Sequence, residues 1–270
     1  MTMDNTSEKS AGATKSGGIG ETIRVIIEAL LIALVIRTFA FQPFNIPSGS
    51  LIPTLLVGDY LFVSKYSYGY SKYSFPQSLE WGGTKISFPQ VPISGRFWGA
   101  EPKRGDIAVF KWPRDNDTDY IKRVIGLPGD RVRMINGRLY LNGEAVKREA
   151  DGFFETADAF GRLGRVPRFK ETLPNGVSYN IIEVNGDRAY LDNTEEFLVP
   201  PGHFFMMGDN RDNSTDSRDM SAQGVGFVPY ENFVGRAEIV FFSIGDDMRP
   251  WELWKWPGGA RWGRFFQKIR

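Results

Sequence analysis

No cysteine occurs among the 270 residues, which removes thiolate nucleophiles, disulfides and cysteine-ligated zinc or iron–sulfur centres together. Histidine is almost as scarce. His203 is the only one, so a multi-histidine metal site is excluded and any Ser-His-Asp mechanism would have to run through that residue. Net charge is missing too: 33 basic residues against 32 acidic leave +1, and no global field marks a nucleic-acid binder or a trap for acidic substrates. Long apolar runs are absent, the longest stretch of purely apolar residues in the N-terminal region being Ala29–Ile36. What remains is ordinary globular composition, 41% hydrophobic, 24% charged and 14% aromatic, with 30 Gly and 16 Pro that announce many turns. The length suits one large domain, or one domain with an elaborated insertion.

Residues 1–20, rich in Ser, Thr, Gly and Ala, lack hydrophobic periodicity and read as a disordered cytoplasmic tail. From Val25 to Phe41 the chain is apolar except for Glu28 and Arg37, about 26 Å of helix and barely enough to cross a bilayer. A buried or amphipathic core helix would also fit. Three features favour an anchor over 21–41: Glu28 and Arg37 lie near its ends, Lys9, Lys15 and Arg24 precede it, and no small-residue cleavage site closes it. The N-terminus would then be cytoplasmic and everything after Phe41 would lie across the membrane.

Beyond the anchor the pattern is β. Leu61–Val63, Ile107–Phe110, Tyr120–Ile125 and Arg131–Ile135 are rich in β-branched and aromatic residues and are punctuated by Gly-Asp turns. Asn136-Gly137 and Asn142-Gly143 are strong two-residue hairpin signals, and Asn185-Gly186 resembles them. The expected organisation is a core of 42–142 and 200–247, with a smaller β subdomain, 143–199, inserted into it. That insertion has an irregular polar portion over 148–176 and a hairpin around Asn185. Residues 66–100 read as an extended excursion. The tail 248–270 combines aromatic with basic residues, a composition suited to the headgroups of an anionic membrane, or to nucleic-acid stacking.

Three stretches carry candidate chemistry. In Phe44–Asp59, Ser48 and Ser50 flank a glycine between prolines, an arrangement that could present a hydroxyl and a backbone N–H to a ligand or could be a plain turn. In Asp119–Asp130 a strand sets Lys122 beside Arg123 and then turns sharply. Only the lysine could serve as a base, because burial can neutralise an ammonium whereas a guanidinium stays charged. Two surface charges on an edge strand would give the same pattern. Gly208–Arg218 (GDNRDNSTDSR) is dense in turn-fixing and pairing side chains. It lacks the central Gly and terminal Glu of a calcium loop, so no metal is expected there.

Taken together, PSGSLIPTLLVGD, RGD at Arg104–Asp106, YIKRVIGLPGD, GDNRDNSTDSR, Gly226-Phe-Val-Pro229 and Val234-Gly-Arg236 resemble the bacterial type I signal peptidases, in order and over most of 25–245. The resemblance implies a mostly β fold, in which a signal-peptidase-like catalytic sheet follows one transmembrane helix. It implies a membrane-bound serine endopeptidase that removes signal peptides from exported preproteins at the outer face of the bacterial plasma membrane, without a cofactor. By motif position Ser50 matches the nucleophile and Lys122 the general base. Ser48 matches the oxyanion-hole hydroxyl and Ser214 the hydroxyl that orients the lysine, while Asp209, Asp216 and Arg218 match the bracing of that loop. Selection for small residues before the cut would need shallow apolar pockets, for which Phe44, Ile46, Pro47, Leu55, Tyr120 and Ile121 are the candidates. Signal peptides, membrane lipid and the secretion machinery are the implied partners, and nucleic acid is not among them. Leu51 departs from the family, where methionine is common, but keeps volume and apolarity. The rival readings are a soluble Ser/Lys autoprotease, a catalytically silent tethered peptide-binding module, and a mechanism based on His203.

Overall fold

The computed structural model describes residues 19–75, 78–81, 84–87, 89, 91–157, 163–245 and 248–269. Helix α1 (Ile19–Phe39) opens the described chain. The strands follow as β1 (Phe41–Asn45), β2 (Asp59–Ser64), β3 (Ser78–Trp81), β4 (Thr84–Ser87), β5 (Ile107–Lys111), β6 (Asp119–Gly126), β7 (Arg131–Ile135), β8 (Arg138–Leu141), β9 (Glu144–Ala145), β10 (Lys147–Ala157), β11 (Leu163–Thr172), β12 (Ser178–Ile182), β13 (Phe197–Leu198), β14 (His203–Met207), β15 (Val228–Pro229), β16 (Phe233–Ser243) and β17 (Gln267–Lys268). A short helix α2 (Trp256–Gly259) lies between β16 and β17.

The main sheet runs β1-β2-β16-β5-β6-β14-β15, with β17 added to β16. Its pairings are antiparallel, as expected for strands joined by short turns. A second sheet, β13-β7-β8-β9, and a third, β10-β11-β12, occupy the chain between β6 and β14, where the smaller subdomain is expected. The sheets divide at Asp130, ahead of residue 143. Their cores are continuous with the main sheet: Ile125, Phe205 and Met207 pack with Val132, Leu141, Tyr179 and Ile181 in one cluster.

The hairpin signals have unequal outcomes. Asn136-Gly137 and Asn142-Gly143 hold positive φ at both residues, the geometry whose twist matches that of the flanking strands, and they close β7–β8 and β8–β9. Asn185-Gly186 closes no hairpin. It lies in the connection from β12 to a 3₁₀ turn at Tyr190–Asp192, where the Asn185 N–H donates to Asp212 Oδ2 at 2.6 Å. The portion expected to be irregular over 148–176 is instead a long ribbon of β10 and β11, whose residues pair from Lys147↔Thr172 to Ala157↔Leu163.

Helix α1 begins within the stretch expected as a disordered tail; the rest of that tail, 1–18, lies outside the described residues. The helix ends at Phe39 because Phe41 already pairs with Ser64 of β2. No helix among the described residues is long and apolar enough to cross a membrane, since Glu21, Arg24, Glu28 and Arg37 interrupt α1. The C-terminal tail is not loose. Arg264 grips Asp59 through Nε at 2.9 Å and Nη2 at 2.5 Å, and Arg261 donates to the Val57 carbonyl at 2.7 Å. Trp256 packs on Phe242, with ring centroids 4.7 Å apart, while Trp251, Trp254 and Trp262 stay exposed.

Candidate active site

The turn after β1 is held from below. Leu51 and Leu55 are buried with Ile46, Leu61, Val63 and Val109 in one cluster, each contributing roughly 1.5–3 kcal/mol by burial. The 3₁₀ turn Gly49–Leu51 leaves Ser50 facing away from that cluster, 6% exposed. From above, Asn210 clamps the turn: its N–H donates to the Ser50 carbonyl at 3.1 Å and its Nδ2 to the Gly49 carbonyl at 3.1 Å. Gly208 is required at this approach, because a Cβ there would sit 2.5 Å from the Ser50 carbonyl oxygen and 2.3 Å from Ser214 Oγ.

Strand β6 answers what its alternation leaves open: both basic residues are buried, on opposite faces. Lys122 Nζ lies 2.7 Å from Ser50 Oγ. Tyr120 lies beside the ammonium, 5.5 Å from Nζ to the ring centroid, and Val124 and Met206 are fully buried in the adjoining cluster. Burial pushes the Lys122 amine from its ordinary 10.5 down to about 8. The carboxylates of Asp216 and Asp209 oppose that shift, and Arg218 adds to it.

Arg123 points the other way. Its Nε and Nη2 donate to Asp209 at 2.8 and 2.7 Å, its Nη1 to the Gly105 carbonyl at 2.8 Å, and its guanidinium stacks on Tyr179. Thr54 Oγ1 donates to the same carboxylate at 2.6 Å, which ties the serine turn to β6 and to the 208–218 loop. Asp209 thus ties its loop to elements outside it, through Arg123 and Thr54. Within that loop Asp216 holds Arg218 through two bonds of 2.9 Å and accepts the Gly208 N–H at 3.0 Å. Burial alone would raise the Asp216 carboxyl, but Arg218 outweighs it and holds the group below the usual range. Arg211 reaches out of the loop to Glu171 on β11, at 2.9 and 2.5 Å.

An open cleft of about 480 Å³ lies over the serine and lysine, lined by Pro47, Ser48, Ser50, Tyr120, Lys122 and Ser214 among others. Ile121 also lines it, whereas Phe44, Ile46 and Leu55 do not: Ile46 and Leu55 are buried in the cluster beneath, with Phe44 packed against it. Ser48 is exposed at the rim. Ser214 is buried at the lysine's cleft, where its hydroxyl helps hold the Asp216 carboxyl down; among the described residues the Lys122 amine bonds to Ser50 and not to Ser214, so the expected bond is not formed. His203 stands outside the cleft, its Nδ1 3.0 Å from the Pro201 carbonyl. Thr54 and Asn210 lie inside the recognised motifs, where their contacts are not legible. Glu171 has no local signal, being 40 residues from Arg211 along the chain. The long-range bracing could be read only by pairing each buried cation with a distant acid.

The family described as Signal peptidase, peptidase S26, matches residues 19–242. A signal peptidase I of Rickettsia conorii is 42% identical over 257 residues, covering 89% of each chain. One of Rickettsia massiliae is 40% identical across 100% of this chain and 98% of its own. The crystal structure of a signal peptidase I from Enterococcus faecalis is 28% identical, covers 51% of this chain and 97% of its own, and has a TM-score of 0.31. The class these relationships define is a serine endopeptidase, a hydrolase. The chain belongs to the signal peptidase, peptidase S26, family.

Proposed function

We propose that the protein removes signal peptides from exported preproteins at the bacterial plasma membrane, with Ser50 as nucleophile and the neutral amine of Lys122 as general base. The 2.7 Å contact between Nζ and Oγ in a buried setting carries this reading. A serine hydroxyl needs a base to attack a peptide carbonyl at neutral pH, and a desolvated lysine is the group within reach. Ser50 Oγ attacks the scissile carbonyl as its proton passes to Nζ. The Ser50 N–H and the Ser48 hydroxyl receive the oxyanion. The lysine then protonates the leaving amine, and water activated by the neutral amine releases the acyl-enzyme.

β14 pairs with β6 only from Arg123 onward. Among the described strands the other side of Asp119–Lys122 is unpaired, an open edge beside the cleft on which an extended substrate can add a strand. Pro47, Tyr120 and Ile121 would face the small residues before the cut. Ser214, on this reading, meets the lysine once substrate fills the cleft, and Asp209, Asp216 and Arg218 hold the loop in place.

The amine must be neutral to act. Below its pKa the neutral fraction falls tenfold per pH unit, so kcat/KM on a preprotein with an Ala-x-Ala site is expected to climb through pH 7 and level off above about 8. His203→Ala should leave both the rate and the profile intact. A midpoint near 6.5 that vanishes in His203→Ala would transfer the base to the histidine, and an inert wild type would favour a peptide-binding module.

The membrane part of the proposal rests on α1. None of its residues is buried, and Ile23, Ile26, Leu30, Leu31, Leu34 and Val35 expose half or more of their surface around its circumference. So much exposed apolar surface on one helix calls for apolar cover. Arg24 and Glu28 neutralise one another at 2.8 Å, and Arg37 lies at the far end, where its side chain can reach headgroups. We read α1 as a single-pass anchor with a cytoplasmic N-terminus, and the exposed tryptophans of the tail as a second contact with lipid. In membranes washed with alkaline carbonate the protein should stay in the pellet; release into the supernatant would sink the anchor.

A further inference from the structure

Three carboxylates that the proposed chemistry does not use converge on one point beside the cleft, which Asp212 also lines. Glu183 follows β12, Asp192 ends the 3₁₀ turn Tyr190–Asp192, and Asp212 belongs to the loop that carries Asn210 and Ser214. One oxygen from each lies within 4.8 Å of the others. The two aspartates are oriented by backbone: Asp212 Oδ2 accepts the Asn185 N–H and Asp192 Oδ2 the Ala189 N–H, both at 2.6 Å. Their Oδ1 atoms have no hydrogen-bond partner among the described residues, and neither has either oxygen of Glu183.

Glu183 is the independent observation. It is 0% exposed, and a buried carboxylate with both oxygens unbonded, facing two more, is unfavourable unless something positive joins it. Nearby guanidinia do not meet the need. Arg211 is bidentate on Glu171, Arg218 on Asp216, and Arg148 pairs with Asp187 at 2.8 Å, its Nη1 remaining 3.8 Å from Glu183. Each arginine holds another carboxylate at hydrogen-bonding distance, and Glu183 keeps only the long 3.8 Å contact with Arg148 while facing two further acids. Burial, only partly offset by Arg211, pushes the Glu183 carboxyl up to about 8, in keeping with that imbalance.

We propose that Glu183, Asp192 and Asp212 form a binding site for one divalent cation of the calcium type. The donors are all hard oxygens. Oxygens within 4.8 Å of one another can share one Ca²⁺, around which opposite oxygens are about 4.6–5.2 Å apart, whereas Mg²⁺ demands near-octahedral geometry and keeps several waters, which suits a buried all-protein cluster poorly. The ion would pin the exit of β12 and the 3₁₀ turn to the loop beside the cleft, three segments whose acids, Glu183, Asp192 and Asp212, stand 9 and 20 residues apart. That distribution explains why the loop's own spacing shows no calcium motif.

The test uses the full chain in detergent, stripped with a chelator and titrated with CaCl₂ or MgCl₂ by equilibrium dialysis and thermal unfolding. Saturable binding of one Ca²⁺ is expected, with a Tm rise of about 5–10 °C at a hundredfold excess over Kd. Magnesium should bind at least tenfold more weakly, and Glu183→Gln should lose both binding and the rise. Absence of saturable calcium binding by the wild type overturns the proposal without reference to any variant's folding, as does undiminished binding by Glu183→Gln and Asp192→Asn. Equal affinity for magnesium overturns the assignment to calcium. None of these readouts depends on peptidase activity, so their failure is distinct from failure of the Ser/Lys mechanism.

Discussion

Lys122→Met is expected to lower kcat for preprotein cleavage by about 10³-fold or more while making the fold more stable at neutral pH. The methionine keeps the apolar stem and removes the one basic atom, among the described residues, within hydrogen-bonding distance of Ser50 Oγ. Residues that act as one catalytic unit lose nearly everything when either is removed, so Ser50→Ala should fall to the same floor. Lys122→Arg should be as dead as Lys122→Met, because a guanidinium keeps its charge and cannot take the serine proton. The stability half follows from the same burial. The amine falls from 10.5 to about 8 on folding, and each tenfold change in proton affinity is about 1.4 kcal/mol, which places roughly 3 kcal/mol against the native state at pH 7. Losing the bond to Ser50 returns about 1 kcal/mol of that.

The sign with pH can be worked through. Below about 8 the lysine is charged in both folded and unfolded chains and the cost is full. Between 8 and 10.5 the folded amine is neutral while the unfolded one still binds a proton, so wild-type stability climbs; above 10.5 the cost is gone. The advantage of Lys122→Met should therefore be about 2 kcal/mol at pH 7, vanish between pH 8 and 10.5, and reverse to about −1 kcal/mol above that, read by thermal unfolding at several pH values. A variant that is less stable at pH 7, or one that keeps its activity, would contradict the assignment.

Asp209→Leu should cost about 3–5 kcal/mol, because it removes the carboxylate that the fully buried Arg123 guanidinium pairs with at 2.7 Å. For a chain of this size that corresponds to a fall in Tm of roughly 10 °C. The Thr54 hydroxyl loses its acceptor in the same step, so the turn bearing Ser50 comes loose and activity should fall with stability. The pair itself is a different matter. Two buried charges pay heavily for leaving water, and replacing both with apolar groups is often neutral, so Arg123→Met combined with Asp209→Leu should recover most of the lost Tm. If the double variant is no better than the single one, the cost lies in packing and not in the broken ion pair. If Asp209→Leu alone loses less than about 1 kcal/mol, the bracing role falls.

Much of the sheet was legible. β5, β6 and β7 lie where β-branched runs between Gly-Asp turns place them, because antiparallel strands joined by short turns leave that pattern in any order of sheets. The two Asn-Gly hairpins were legible because positive φ at two successive residues leaves few alternatives. Asn185-Gly186 carries the same dipeptide but lacks pairing strands, and its backbone is spent on Asp212. The ribbon of β10 and β11 was not legible: Arg165 and Glu155 sit largely in solvent on it, so no buried face imposes a period on that half.

At the site the division is sharper. The sequence by itself determined what was excluded, cysteine chemistry and multi-histidine metal sites, and its ordered motifs carried the resemblance that implies Ser50 and Lys122. It also showed the apolar stretch that becomes most of α1, broken by Glu28 and Arg37. The tertiary structure decided what each charge faces. Whether Lys122 or Arg123 is buried, which acid holds which arginine, and that Glu183, Asp192 and Asp212 meet at all depend on strands brought together across tens of residues. The local pattern fixes how a strand alternates; the charge environment of a buried group is set by whatever the rest of the fold places against it.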